Sequence, residues 1–354
     1  MKHALLFQLL AAIAAPPAGL QNAKVTARAV GTGGLAAEVR AAGATGPSWI
    51  GYAQPVLDGP RQMCCFGSVS GTFSGHSKTC CGGCRLENES SLSIGRDPGT
   101  VNLESPSQFR VLFRVHRGQV SKVRALSEDC ALDAGGLQFL WLTGVSPSES
   151  LEFLGGLARR QGVGEDEDRV GPILAAIALH ADPGADGVLE KLAARGQPLE
   201  LRKQAAFWLG NERGRRGFEI LRSFLADPDT DFRQHLTFCL SQSSVPDAQA
   251  TLIRMARHDP EGEVRGQALF WLAEKAGDRA AETIQDAIRD DPEEDVKKKA
   301  VFALSQLHGD QAVTELIRVA KTNRNPEVRK QAVFWLGQSR DPRALDFIEK
   351  VLAN

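Results

Sequence analysis

Val328-Arg329-Lys330-Gln331-Ala332-Val333-Phe334-Trp335-Leu336-Gly337 is the stretch on which the fold turns, because the chain repeats it. Leu201–Gly210, Phe232–Ser241, Val264–Ala273 and Val296–Ser305 align with it without gaps, and their starts are almost evenly spaced along the chain. A weaker sixth copy begins at Val170 and passes through Ala175-Ala176-Ile177-Ala178-Leu179. A fixed period of this length is the mark of stacked supersecondary units. Between copies, apolar residues recur at helical spacing: Phe218, Leu221, Phe224 and Leu225, then Leu316, Ile317 and Ala320, then Ala344, Leu345, Ile348 and Val351. Asp227-Pro228, Asp259-Pro260, Asp291-Pro292 and Asn325-Pro326 punctuate the joints, where Asp or Asn is expected to cap the next helix and Pro to begin it. One helical hairpin cannot bury its apolar face, whereas a stack of them can. Residues 169–354 are therefore expected to form an α-helical solenoid of about six αα repeats.

At about 100° per residue, the first position of each copy (Leu201, Phe232, Val264, Val296, Val328) anchors the buried side. Trp208, Trp271 and Trp335, seven positions later, fall on that side and read as core. Cys239 and Ala303 replace Trp in the other two copies, which makes Cys239 a buried thiol. Phe207, Phe238, Phe270, Phe302 and Phe334 lie almost opposite the anchors and would form a ladder near the solvent side. Gln204, His235, Gln267, Lys299 and Gln331 stack beside them. Such a strip is a candidate protein-binding surface, unless a neighbouring helix or the amino-terminal domain covers it. The basic residues at the second position (Arg202, Arg233, Arg265, Lys297, Arg329) are expected to be structural, reaching carbonyls or the acidic joints of the adjacent repeat.

The shared pattern Val-Arg-x-Gln-Ala-x-Phe-Trp-Leu-Gly resembles the HEAT repeat of the phycobilisome-lyase-like subgroup, over residues 165–354. The resemblance implies a solenoid and, for most members, a scaffold that binds another protein. A few members are enzymes, including bilin lyases and the iron-dependent deoxyhypusine hydroxylase, which holds its iron with His-Glu dipeptides. Here His180 precedes Ala181, His235 precedes Leu236, His258 precedes Asp259 and His308 precedes Gly309, and none of the seven histidines begins such a dipeptide. Nor does the chain carry Gly-x-Ser-x-Gly, a phosphate-binding loop or His-Glu-x-x-His. No residue is expected to be catalytic or to ligate a metal, and no cofactor is expected.

Upstream the character changes. Phe109, Val111, Phe113 and Val115 alternate with Arg110, Leu112, Arg114 and His116, which predicts a half-buried strand. Arg117-Gly118 turns it into a hairpin with Val120–Leu126. Trp49–Ala53 and Leu137–Leu142 are further candidate strands. Ser146-Pro147-Ser148-Glu149 is a helix start with a reciprocal cap, and the helix should run to Arg160. That helix is placed to cover the first repeat. Residues 24–160 read as a small α+β domain, with 161–168 an acidic linker around Glu165-Asp166-Glu167-Asp168.

Six of seven cysteines, Cys64, Cys65, Cys80, Cys81, Cys84 and Cys130, lie in this domain. An even cluster reads as a disulfide set whose pairing stays open. A zinc site and a redox pair formed by Cys81 and Cys84 are the alternatives. Met1-Lys2-His3 followed by the apolar run Ala4–Ala15 and Pro16-Pro17-Ala18-Gly19 reads as a signal peptide within residues 1–23. No later segment is apolar enough to span a bilayer. With 42 Lys+Arg against 43 Asp+Glu, the chain lacks the basic excess of a nucleic-acid binder. Together these point to an exported, non-catalytic scaffold of the bacterial periplasm with a protein partner. The competing class is an enzyme of the HEAT-like lyase or oxidoreductase type, or a thiol redox protein.

Overall fold

The computed structural model describes residues 17–58, 84–87, 107–128, 131–161, 170–276, 280–307 and 311–353. Residues 1–16 of the expected signal peptide 1–23, Cys64, Cys65, Cys80, Cys81, Cys130 and residues 162–169, with nearly all of the expected acidic linker, lie outside the described residues. Of the cysteine cluster only the backbone of Cys84 is described, in a short strand. The described chain forms two compact units.

The first unit holds residues up to Leu192 together with Gly196–Leu201. Its centre is a five-stranded mixed sheet built from β2 (Lys24–Ala29), β3 (Ser48–Pro55), β5 (Gln108–His116), β6 (Gln119–Ser127) and β8 (Gln138–Thr143). Their order is β2-β8-β3-β5-β6, parallel in the first two pairings and antiparallel in the last two. A smaller sheet joins β1 (Leu20–Gln21), β7 (Leu132–Asp133) and β4 (Cys84–Arg85). The hairpin between β5 and β6 turns at Arg117 and Gly118, both at positive φ (52° and 71°), as a two-residue turn of this twist requires.

The alternation in β5 predicts one wet face, but Arg110 and Leu112 are both buried. The reason is a second cover. Leu112 packs with Trp49, Leu86, Leu126, Leu132 and Trp141, so the small sheet closes the side left open in the sequence reading. The charges there are accommodated by partners. Arg110 donates to the carbonyls of Ala18 and Glu128. Arg114 forks onto Glu87 at 2.9–3.1 Å, and Trp49 Nε1 donates to the same carboxylate at 2.7 Å. Burial pushes the Glu87 carboxyl up, but those donors outweigh it and hold it below the usual carboxylate range.

The other face carries helices. Helix α1 (Gly34–Ala41) follows β2, and α2 (Pro147–Gln161) packs against it. Ser146 accepts from the Glu149 amide at 3.3 Å, so it caps α2 as expected. The Glu149 carboxylate does not return to that cap; it accepts the Leu35 amide at the start of α1. Helix α2 lies along α3 (Val170–Leu179), the first helix of the weak sixth copy, and α3 also packs on β6. Nearly every residue of α3 is buried, which suits a helix that is apolar all round. Its end is joined to β3: Leu57 donates to the Leu179 carbonyl and Ala181 to that of Pro55, each at 3.0 Å. His180 Nε2 lies 3.0 Å from Ser150 Oγ, which lies 2.8 Å from the Tyr52 hydroxyl, all three fully buried. Helix α4 (Gly184–Ala193) completes this pair.

The second unit, Ala193–Arg195 and Arg202 onward, continues the repeats. Its first helices are α5 (Leu199–Glu212), α7 (Thr230–Gln242), α9 (Gly262–Ala276), α11 (Glu294–Ser305) and α13 (Pro326–Gln338). Its second helices are α6 (Gly214–Ser223), α8 (Pro246–His258), α10 (Ala281–Asp290), α12 (Gln311–Thr322) and α14 (Pro342–Leu352). First helices α7, α9, α11 and α13 pack side by side in sequence order. Each seats its anchor (Phe232, Val264, Val296, Val328) and the leucine eight positions later (Leu240, Leu272, Leu304, Leu336) in the core. Burying each such side chain is worth about 1.5–3 kcal/mol.

A polar ladder locks the register. Arg202 donates to Asp227 Oδ2 at 2.7 Å. Arg233 grips Asp259 through Nε and Nη2, both at 3.1 Å, and Arg265 grips Asp291 at 2.7 and 2.9 Å. Each of the latter two also donates Nη1 to its own joint, to Asp227 O at 2.7 Å and Asp259 O at 2.8 Å. Each guanidinium thus ties the joint before its helix to the joint after it. In the fourth copy the arginine is Lys297, and the matching joint residue is Asn323 rather than Asp; Lys297 turns instead to the Arg289 carbonyl at 3.0 Å.

The Asp-Pro joints therefore do not act as the caps expected of them. Asp227 Oδ1 accepts the Asp229 amide at 3.0 Å, and the cap of α7 is Asp229, which accepts from the Phe232 amide. Asp259 and Asp291 make the same turn with the amides of Glu261 and Glu293. Their other carboxylate contacts go to the ladder. Asn325-Pro326 alone caps and starts its helix as the sequence implies.

Burial pushes the Asp227 carboxyl up, but the Asp229 amide and the Arg195 and Arg202 guanidiniums outweigh it, leaving it below its ordinary value. A carboxyl lowered in the folded state contributes stability that is present above the unfolded value, about 3.9, and lost as pH falls through the folded value. The helical signal's urea midpoint should stay flat from about pH 5 to 8 and drop below about pH 4, with a shallower drop in Asp227→Asn. Arg233→Ala strands a buried carboxylate, so it should cost about 3–5 kcal/mol in the same urea titration.

Candidate binding surface

The five phenylalanines do not stand apart. Phe207 and Phe238 stack nearly parallel, centroids 5.7 Å apart and planes at 8°, and Phe270 and Phe302 do the same at 5.9 Å and 6°. Trp271 joins Phe238 to Phe270, each at 4.9 Å. Trp335 joins Phe302 to Phe334 at 4.8 and 5.1 Å. Trp208 lies edge-on to Phe207 at 5.3 Å. The result is an unbroken strip of rings across α5, α7, α9, α11 and α13. Phe207, Phe238, Phe270 and Phe302 are half-buried, and Phe334 is 53 % exposed.

The tryptophans depart from the sequence reading. Trp208 is buried, but Trp271 and Trp335 are only partly so and belong to the strip. At 4.8–4.9 Å they lean on the phenylalanine of the preceding copy instead of turning inward. Their Nε1 atoms are buried donors without an acceptor among the described residues. Position seven alternates large and small along the solenoid: Trp208, Cys239, Trp271, Ala303, Trp335. Cys239 and Ala303 are fully buried, and beside them the phenylalanines stack directly on one another. The unit of packing on this face is therefore two repeats. Burial pushes the Cys239 thiol up, which keeps it protonated and unreactive.

The remaining candidates sit in rows parallel to the strip. Gln204, His235, Gln267, Lys299 and Gln331 are close to the rings one turn earlier. His235 Nε2 lies 2.9 Å from the Lys203 carbonyl and its ring 5.8 Å from Phe238. Gln234 donates to Gln267 Oε1 at 3.4 Å. One turn beyond the rings lie Asn211, Gln242, Glu274, Gln306 and Gln338. Before the anchors lies an acidic row that the sequence reading missed, with Asp231, Glu263, Asp295 and Glu327 each immediately ahead of its anchor. Each stands two helical turns before its phenylalanine, on the same face. The signal was the fixed offset from the anchor. A groove of about 520 Å³ opens on this face, lined in part by Glu263, Asp295, Lys299, Phe302, Gln331 and Trp335.

Known proteins place the helical part. The family model for HEAT repeats matches residues 186–273 and 281–354. The carboxy-terminal hairpins are HEAT repeats. Among solved structures, the CpcE–CpcF phycocyanin lyase complex of Nostoc sp. PCC7120 is 21 % identical, covering 45 % of this chain and all of that one, with a TM-score of 0.35. Escherichia coli YibA is 16 % identical over 57 % of this chain and 76 % of that one, TM-score 0.34. Human deoxyhypusine hydroxylase is 17 % identical over 56 % and 81 %, TM-score 0.25. No curated protein sequence matches the chain. HEAT repeats typically mediate protein interaction. Among the described residues no group of His, Cys, Asp and Glu is placed to hold a metal, and no helix is long and apolar enough to cross a membrane.

Alternation at position seven carries a test. Cys239→Trp puts a large ring where no space exists, and should destabilise the chain by about 1–3 kcal/mol in thermal unfolding. Wild-type Cys239 should resist alkylation by iodoacetamide until the solenoid is unfolded.

Proposed function

We propose that this chain is an exported, non-catalytic scaffold of the bacterial periplasm that holds another protein along the aromatic strip. The observation that carries the reading is the continuity of the strip. Rings from five successive repeats meet edge to edge or face to face while staying partly open to solvent. A contiguous apolar band rimmed by polar rows is how protein-binding surfaces are composed. Aromatic side chains dominate the energetics of such contacts. Support for export comes from the amino-terminal sequence and from the clustering of cysteines in one half of the chain.

The arginines that might otherwise serve a ligand are occupied. Arg202, Arg233 and Arg265 are buried in the ladder, as a structural role requires. The strip is what remains for recognition.

A photo-crosslinking side chain at Gln267, in the native cell envelope, tests the reading. A discrete adduct with one protein is expected in the periplasmic fraction. Phe238→Ser and Phe270→Ser should abolish it while the helical signal is kept. An adduct that survives both substitutions in a folded protein contradicts the role of the strip. A chain found only in the cytoplasm contradicts export.

A further inference from the structure

Independently of the aromatic strip, we infer that β2 is the seam of a homodimer, where a second copy of this chain adds its own β2 antiparallel across a two-fold axis at Ala27. Strand β2 is an edge of the five-stranded sheet, and no strand among the described residues pairs with its outer side. In a strand the N–H and C=O of one residue point to the same side, and successive residues point to opposite sides. The Lys24 amide donates to the Leu137 carbonyl at 3.0 Å and the Val30 amide to that of Thr143 at 2.8 Å, both toward β8. Val25, Ala27 and Ala29 therefore turn their backbone groups outward. Apart from a 3.5 Å contact of Arg28 Nη1 with the Ala29 carbonyl, those groups have no partner among the described residues.

An open edge is a template for pairing, and folded proteins blunt it with proline, bulges or covering elements. Over its six residues β2 has no proline, and its register with β8 runs unbroken. The opposite edge is treated differently: β6 is packed by α1 and α3, and its Val120 carbonyl accepts from Gln161.

Side chains select the occupant. Val25 pairs with Phe139 and Ala27 with Trp141, so Val25, Ala27 and Ala29 carry the apolar face of the sheet to its edge, where Val25 is 40 % exposed. Lys24, Thr26 and Arg28 lie on the other face, and Arg28 forks onto Glu38 of α1 at 2.7 and 2.5 Å. An acidic segment of another protein would find that guanidinium already neutralised. A second β2 continues the apolar row on one face and can keep its cations apart on the other.

Charge then fixes the register. Antiparallel pairing sets outward residue against outward residue, and a two-fold closes the pair. With Thr26 on the axis, Lys24 faces Arg28 of the other copy; with Arg28 on the axis, the arginines face each other. Like charges directly opposite are destabilising. With Ala27 on the axis, Arg28 faces Thr26, Lys24 faces Val30, and Val25 is covered by Ala29. Val25, Ala27 and Ala29 then exchange about six hydrogen bonds with the second copy.

Sedimentation velocity of the full chain, with hydrogen exchange read by mass spectrometry, tests the seam. Wild type should be dimeric at micromolar concentration, and dilution to monomer should speed exchange within residues 24–29. Ala27→Pro removes an outward amide at the axis and spares the bonds to β8, so it should weaken the dimer about a hundredfold with the circular dichroism kept. Thr26→Lys, exposed and outside the core, should weaken it about tenfold, because the clash with Arg28 occurs twice across the axis. Thr26→Glu should tighten it several-fold, whereas a register with Thr26 on the axis would set Glu against Glu and loosen it. A wild type still monomeric at about 100 µM, a folded Ala27→Pro that dimerises normally, concentration-dependent protection lying elsewhere, or a loosened Thr26→Glu dimer overturns the inference.

Discussion

Everything in the carboxy-terminal unit depends on a buried guanidinium held between two joints. Arg233 reaches back to the carbonyl of Asp227 and forward to the carboxylate of Asp259; Arg265 does the same with Asp259 and Asp291. Asp259 therefore serves both neighbours, its side chain gripped by one arginine and its carbonyl by the next. Taking charges out of water is costly, and an apolar replacement of a buried ion pair is often as stable. What the ladder supplies is register. A guanidinium fork fits a carboxylate in one geometry, so each repeat can stack on its neighbour in one way.

Register is what makes the surface. Phenylalanines at a fixed offset from their anchors form a strip only if successive helices are neither slipped nor rotated. The alternation of Trp with Cys239 and Ala303 then divides the strip into two-repeat units. Ring faces stack at α5–α7 and α9–α11, and tryptophans fill the intervening contacts. The structural half of each helix and its outward half are read from the same short segment.

Much of this was legible in the sequence. The regular recurrence of Phe232, Val264, Val296 and Val328, each followed at one offset by Phe238, Phe270, Phe302 and Phe334, is enough to place hairpins, core and strip. The expectation that the second-position arginines reach carbonyls or the acidic joints of the adjacent repeat holds for Arg202, Arg233 and Arg265. Left unread was its register: Arg233 precedes Asp259 by the same interval as Arg265 precedes Asp291, and where Lys297 replaces the arginine, Asn323 replaces the aspartate. That paired replacement is an internal record of the contact. Asp-Pro resembles a cap and first turn locally, but an arginine from the preceding repeat claims the carboxylate, and no local rule carries that information. The same holds for β5. Its alternation announces a half-wet strand, while the cover over Leu112 comes from Leu86 and Leu132, outside the strand's own sequence. Tertiary cover overrides period-two patterning.

The first unit holds its own helical pair by the same means. Helix α3 is apolar on all sides, and α2 and the sheet enclose it. The buried contacts of Ser150 with His180 and Tyr52 join α2, the end of α3 and β3 within that unit. The most direct measurement on the ladder is hydrogen exchange of the full chain in Arg265→Ala, Asp291→Ala and the double variant. If the pair sets register between repeats, α9 and α11 lose protection together in each single variant, and the double is no worse than either. Losses confined to the substituted helix, or adding in the double variant, would contradict it.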